Sequence, residues 1–123
     1  MHVGDHFSLD GRSAVVTGGA GYKYGSDIVC ALAEAGAHVV LTSRDVNRAK
    51  EKAQEYRSGG LQVDGLKLDP EKEDGIKEFA STALKLLGKV DILVNNACAN
   101  HLEPFETVKV ADWNRVLHVN VTA

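Results

Sequence analysis

Residues 13–42 constrain this chain more than any other stretch. A short apolar run, residues 13–17, reads as a buried strand and passes into a glycine-rich turn, residues 18–25. A helix follows, with Ile28, Ala31, Leu32 and Ala35 at the three-to-four spacing of one buried face. Gly36 stands where a left-handed residue ends a helix, and residues 38–42 form the second strand. Its centre, Val39-Val40-Leu41, is apolar at successive positions, so both of its faces need cover. That is the pattern of a parallel strand with helices on either side. Strand, helix and buried strand in so short a span predict a right-handed βαβ crossover.

The alternation continues. A helix is predicted from Asp45, a good cap, with Val46, Ala49, Ala53 and Tyr56 on one stripe until Gly59-Gly60 breaks it. Residues 61–68 alternate apolar and polar side chains and read as a third strand. A helix over 71–87 carries Ile76, Phe79, Ala80, Ala83, Leu84 and Leu87, with Pro70 just ahead of it, where a missing N–H costs little. Residues 91–95 are the fourth strand. After a loop containing Pro104, a last helix from near Val110 shows Trp113, Val116 and Leu117 on one side. The expectation is one domain over 1–123, a Rossmann-type α/β three-layer sandwich. Its parallel four-stranded sheet should have the order 3-2-1-4, an incomplete doubly wound fold.

Composition narrows the partners. Lys plus Arg number 14 and Asp plus Glu 17, a net charge of -3, which supports neither nucleic acid nor an anionic membrane as the main partner. Residues 1–12 carry charges and no apolar stretch, unlike a signal peptide, and no apolar run is long enough to span a bilayer. Two cysteines are too few for a disulfide framework, and Cys30 reads as a small core residue. A soluble, cytoplasmic protein is expected. Cys98 and His101 have no second pair at zinc spacing, so no metal site is expected. Asn120-Val121-Thr122 matches a glycosylation acceptor, with nothing else suggesting secretion.

The chemistry is expected at the turn. Thr17-Gly18-Gly19-Ala20-Gly21-Tyr22-Lys23-Tyr24-Gly25 lies between a buried strand and an amphipathic helix. There glycines permit positive φ and a close approach of backbone amides to a pyrophosphate, and the helix dipole adds to the attraction. The other reading is a purely structural turn. At the end of the second strand a carboxylate would hold the ribose hydroxyls of NAD, whereas an arginine accommodates the extra phosphate of NADP. Here Ser43 stands in the carboxylate's place and Arg44 follows, which favours NADP(H) over NAD(H) unless Arg44 is only a solvated loop charge. Lys23, inside the turn, is a candidate second cation, or a lysine pointing to water.

Thr17-Gly18, Asp69 after the third strand, Asn95-Asn96-Ala97 and Asn120 together resemble the short-chain dehydrogenase/reductase family, in order and spacing, from Arg12 to Ala123. The resemblance implies an oxidoreductase acting on a carbonyl or alcohol. It further implies that Asp69 contacts adenine, that Asn95-Asn96-Ala97 stabilises the sheet and lines the cofactor site, and that Asn120 belongs to the catalytic set and holds a water for proton relay. Taken alone, the same residues read as a helix-capping aspartate, a strand-end asparagine pair and a polar helix residue.

Three features depart from the family. The turn is one residue longer and lacks its middle glycine, so a bulky side chain stands where backbone should meet phosphate unless the loop is rearranged. Cys98 replaces a glycine after Ala97. No Tyr-x-x-x-Lys occurs: Tyr22, Tyr24 and Tyr56 are followed at that spacing by Ser26, Ile28 and Gly60. The chain alone is therefore expected to bind cofactor without turnover, as the front part of an enzyme. The rival readings are a non-catalytic dinucleotide-binding or interaction module and a degenerate truncated product. The open fourth strand predicts self-association or a complementary segment.

Overall fold

The computed structural model describes residues 2–123. After a 3₁₀ turn (Val3–Phe7) the elements are β1 (Ser13–Val16), α1 (Tyr24–Glu34), β2 (His38–Ser43), α2 (Val46–Ser58), β3 (Val63–Lys67), α3 (Glu73–Leu87), β4 (Ile92–Val94) and α4 (Val110–Leu117). The chain then widens into a π-helical turn, His118–Thr122. The strands form one sheet in the order β3-β2-β1-β4, and every pairing is parallel.

The alternation of side chains along the strands sorts the core into two layers. Ala14, Val16, Val39, Leu41 and Val63 point to one face and pack with Val29 and Ala33 of α1 and Ala49 and Ala53 of α2. Val15 and Val40 point to the other, against Phe79 and Ala83 of α3 and Leu68. This is the three-layer, 3-2-1-4 arrangement expected from the sequence. Among the described residues no helix is long and apolar enough to cross a membrane.

Three local expectations need correction. The buried line of α1 is Gly25, Val29 and Ala33, with Ile28 and Leu32 flanking it and Ala31 exposed. Close approach decides this: a Cβ on Gly25 would lie 2.7 Å from both Asn96 Nδ2 and Gly18 O, so the helix is drawn in on its smallest residue. The helix expected from residue 71 starts at Glu73, because Asp69 Oδ1 accepts the Glu71 N–H (3.1 Å) and Asp69 O accepts the Lys72 N–H (3.2 Å), holding Pro70 and Glu71 in a turn. Ala80 and Leu84 share the stripe of α3 but remain exposed, since the sheet reaches only Phe79 and Ala83.

Asp45 caps α2 as expected, its carboxylate accepting the N–H of Asn47 (2.9 Å) and Arg48 (3.4 Å). Cys30 is half-buried, and burial, helped by Glu34, pushes its thiol up and keeps it protonated.

Backbone meets backbone closely where α2 crosses β3. An added Cβ on Gly65 would sit 2.1 Å from the carbonyl oxygen of Ala49, so only glycine lets helix and strand meet there. Gly65→Ala is expected to cost about 1–3 kcal/mol or more of stability through this overpacking. The urea midpoint measures it, and an unchanged midpoint would mean that α2 does not sit so close.

Candidate functional site

In a parallel sheet the loops diverge at the carboxyl ends of the strands. Here β1, β2 and β4 end side by side, and a cleft of about 630 Å³ opens beyond them. Its walls are the turn between β1 and α1, the junction of β2 with α2, the segment around Leu68 and Pro70, and the loop that follows β4. Arg115 and Val119 close it from the end of the chain.

Two hydroxyls fix these walls to one another. Thr17 Oγ1 accepts the N–H groups of Asn96 (3.1 Å) and Ala97 (3.0 Å) and donates to Val94 O (3.4 Å). Asn96 returns the contact, its Nδ2 donating to Thr17 O at 2.9 Å. Thr42 Oγ1, fully buried at the end of β2, accepts the Gly18 N–H at 2.9 Å. Gly18 adopts φ +65, and a Cβ there would come within 3.1 Å of Ala97 Cα. The first glycine of the turn is thus required by conformation and by crowding together.

The longer turn directs its bulk outward. Tyr22 and Tyr24 are 91% and 78% exposed, so their rings stand at the rim. Gly21 N–H donates to Gly18 O (3.1 Å), and Ser26 binds Lys23 O through its N–H (3.3 Å) and hydroxyl (3.0 Å), which sets the start of α1. First-turn amides of a helix lack intrahelical acceptors, and here they belong to Tyr24 and Gly25, which line the cleft.

The cleft is cationic. Lys23, Arg44 and Arg48 line it, and among the described residues none of the three enters an ion pair. Its one carboxylate, Glu71, lies 2.5 Å from Arg115 Nη2, an ion contact rather than an aligned hydrogen bond. Asp45 is occupied in capping α2, and Ser43 Oγ accepts the Asp45 N–H at 3.2 Å. A concave surface with unpaired charges of one sign concentrates ligands of the other.

Of the residues singled out by sequence, the cleft gathers Gly18, Gly21, Lys23, Gly25, Ser43, Arg44, Asn96 and Ala97. Thr17 stands behind it as the clasp just described. Asn95 is exposed and outside it. Asp69 lies on a neighbouring cleft with Lys67, Lys72 and Phe79, where its carboxylate closes the turn into α3 and sits 3.7 Å from Lys72 Nζ. Asn120 is also outside; it binds the backbone of Ala99 twice, accepting its N–H (2.8 Å) and donating to its carbonyl (2.9 Å), and so holds the loop after β4.

Among the participants not read from the sequence are Thr42, Arg48, Glu71 and Arg115. Arg48 alone left a trace, as a cation in the first turn of a helix whose dipole disfavours it there. Cys98 lines the cleft, whereas His101 turns from it to Glu103 (2.7 Å) and Asp112 (3.8 Å). His101 holds the Glu103 carboxyl below its ordinary range.

The family model for short chain dehydrogenases matches residues 12–123. The 7alpha-hydroxysteroid dehydrogenase of Escherichia coli (strain K12) is 36% identical over 121 residues, which cover 98% of this chain and 47% of that protein. Among solved structures, the Pseudomonas aeruginosa RhlG/NADP active-site complex gives a TM-score of 0.88 at 36% identity, over 99% of this chain and 46% of that one. A gluconate 5-dehydrogenase from Burkholderia cenocepacia J2315 in complex with NADP and tartrate gives 0.88 at 32% identity, over 98% and 47%. The chain spans about half the length of the curated relatives it matches.

Thr17→Val removes the hydroxyl that two N–H groups share. The loss expected is about 1–3 kcal/mol, the cost of leaving half-buried donors unsatisfied. Amide hydrogen exchange should quicken at Asn96 and Ala97; unchanged exchange there would show that the clasp does not hold the loop.

Proposed function

The chain belongs to the short chain dehydrogenase family, and from that membership we propose that its cleft holds NADP(H) in preference to NAD(H). In this reading it is the cofactor-binding part of an oxidoreductase that acts on a carbonyl or alcohol. The observation that carries it is the set of unpaired cations, Lys23, Arg44 and Arg48, around a glycine turn at the carboxyl edge of a parallel sheet. Such a donor set fits a ligand with several phosphates.

Gly18, Gly21 and Gly25 shape the turn that faces the pyrophosphate, with the dipole of α1 behind it. Lys23 adds a charge from within the turn. Ser43 and Arg44 read the phosphate on the ribose, a hydroxyl and a guanidinium in place of the carboxylate that would repel it. Leu68 and Pro70 offer apolar surface to the adenine, and Asp69, on the neighbouring cleft, serves them by keeping their segment turned through the Glu71 N–H rather than by touching the base. Asn96 and Ala97, held by Thr17, line the side toward the nicotinamide, with Asn95 at the strand end. The NADP of the two solved complexes supports the same preference.

Held by these residues, a nicotinamide cofactor would supply hydride chemistry for the substrate carbon. Asn120 positions the loop at Ala99 and is the one residue of the family's catalytic set within these 123 residues. With no Tyr-x-x-x-Lys among them, the chain by itself binds cofactor without turnover. Self-association or a complementary segment covers β4, which among the described residues pairs only with β1 and leaves Leu93 60% exposed. The two free cysteines, Cys30 and Cys98, suit a reducing, cytoplasmic setting.

Arg44→Asp tests the cofactor preference. NADPH binding, followed by isothermal titration, is expected to weaken by roughly 1.5–3 kcal/mol, the scale of a charge-assisted hydrogen bond. NADH binding should change far less. An unchanged NADPH affinity would remove Arg44 from the site.

A further inference from the structure

We propose that Arg48, steadied by Tyr22, is a specificity-determining residue, which with Arg44 forms a two-guanidinium clamp for a phosphomonoester on the ribose. The inference rests on reading the cleft as a dinucleotide site. Phosphate selection then falls to a residue of α2, and the bulky side chain in the glycine turn has a purpose.

The placement of Arg48 calls for a cause. It sits in the first turn of α2, which holds no acidic residue, and there the positive end of the helix dipole opposes a cation. Two contacts, both from the glycine turn, keep it in place. Its Nε donates to Ala20 O at 3.2 Å, and its guanidinium carbon lies 4.3 Å from the centre of the Tyr22 ring. Tyr22 stays 91% exposed even with this contact, and the guanidinium over its ring is the visible use of a bulky residue in the turn.

The geometry leaves the binding edge free. Stacking engages the face of a guanidinium, whereas its N–H donors point outward in the plane. One donor, Nε, is taken by Ala20 O; among the described residues the two terminal nitrogens donate to no protein group. They stay available for a bidentate contact with a phosphate dianion.

The neighbourhood suits that ligand. Arg44 and Ser43 line the same cleft, and the nearest carboxylate in sequence, Asp45, accepts the backbone N–H groups of Asn47 and Arg48. A phosphate between the two arginines would meet two charges that no protein anion neutralises.

The test uses two adenosine probes that do not reach the nicotinamide end, 2′,5′-ADP and 5′-AMP, titrated calorimetrically into the full chain. Arg48→Ala is expected to weaken 2′,5′-ADP by about tenfold or more, the effect of losing one charge-assisted contact, and to change 5′-AMP by less than about twofold. Arg48→Lys keeps the charge without the fork and should fall between. Tyr22→Leu should cost 2′,5′-ADP several-fold and spare 5′-AMP. Far-UV circular dichroism identical to the parent shows that each variant is folded. Equal losses for both probes would make Arg48 a clip for the turn and overturn the proposal, as would undiminished 2′,5′-ADP binding in Arg48→Ala. A parent chain that binds neither probe would overturn the dinucleotide reading, and this inference with it.

Discussion

Where parallel strands end, their backbone groups run out of partners, and in this chain two threonine hydroxyls take up the deficit. Thr17 Oγ1 serves β1, β4 and the loop beyond, touching Val94, Asn96 and Ala97. Thr42 Oγ1 joins the end of β2 to Gly18. Buried backbone groups left unpaired would be costly, so these bonds fix where each loop leaves the sheet. The cleft owes its shape to them: its glycine turn hangs from β2, and its opposite wall hangs from β1. Asn120 repeats the device further out, binding the backbone of Ala99 from the end of the chain.

Upon this polar frame the charges are arranged unequally. Most basic groups at the periphery are matched, as in Arg57 with Asp64, Lys77 with Glu73 and Arg12 with Asp91. Inside the cleft the pattern reverses. Its one carboxylate is spent on Arg115, while Lys23, Arg44 and Arg48 face the opening unmatched. Such repulsion among like charges lowers the stability of the free protein and is relieved when an anion enters. The acidic net charge of the chain conceals this, because it averages over surfaces that do different work.

The fold was legible where a side chain's face is dictated by its neighbours along the strand. Val39-Val40-Leu41 could be buried only between two helical layers, and Val40 does face α3 while Val39 and Leu41 face α1 and α2. Legibility failed where packing depends on what is absent. Gly25 carries no hydrophobic signal, yet its missing side chain sets the depth of α1, so the buried line of that helix lies one step from the expected one. At the site, Gly18, Ser43 and Arg44 were readable because strand ends and turns announce themselves in glycine and polar residues. Arg48 was not, because its surroundings come from Ala20 and Tyr22, which are brought to it only by the crossover. Thr42 was hidden for another reason: a threonine in a strand reads as a β-branched filler, and only the fold turns its hydroxyl to Gly18.

The central claim is that the cationic cleft at the carboxyl edge of the sheet is where a nicotinamide dinucleotide binds. The most direct measurement is a titration of the isotope-labelled chain with NADPH, followed through its backbone amide resonances. Binding in this cleft requires saturable shifts concentrated at Gly18, Gly21, Gly25, Ser43, Arg44 and Ala97, with the neighbouring cleft around Lys72 and Phe79 quiet. Shifts centred on that second cleft, or none that saturate, would contradict it.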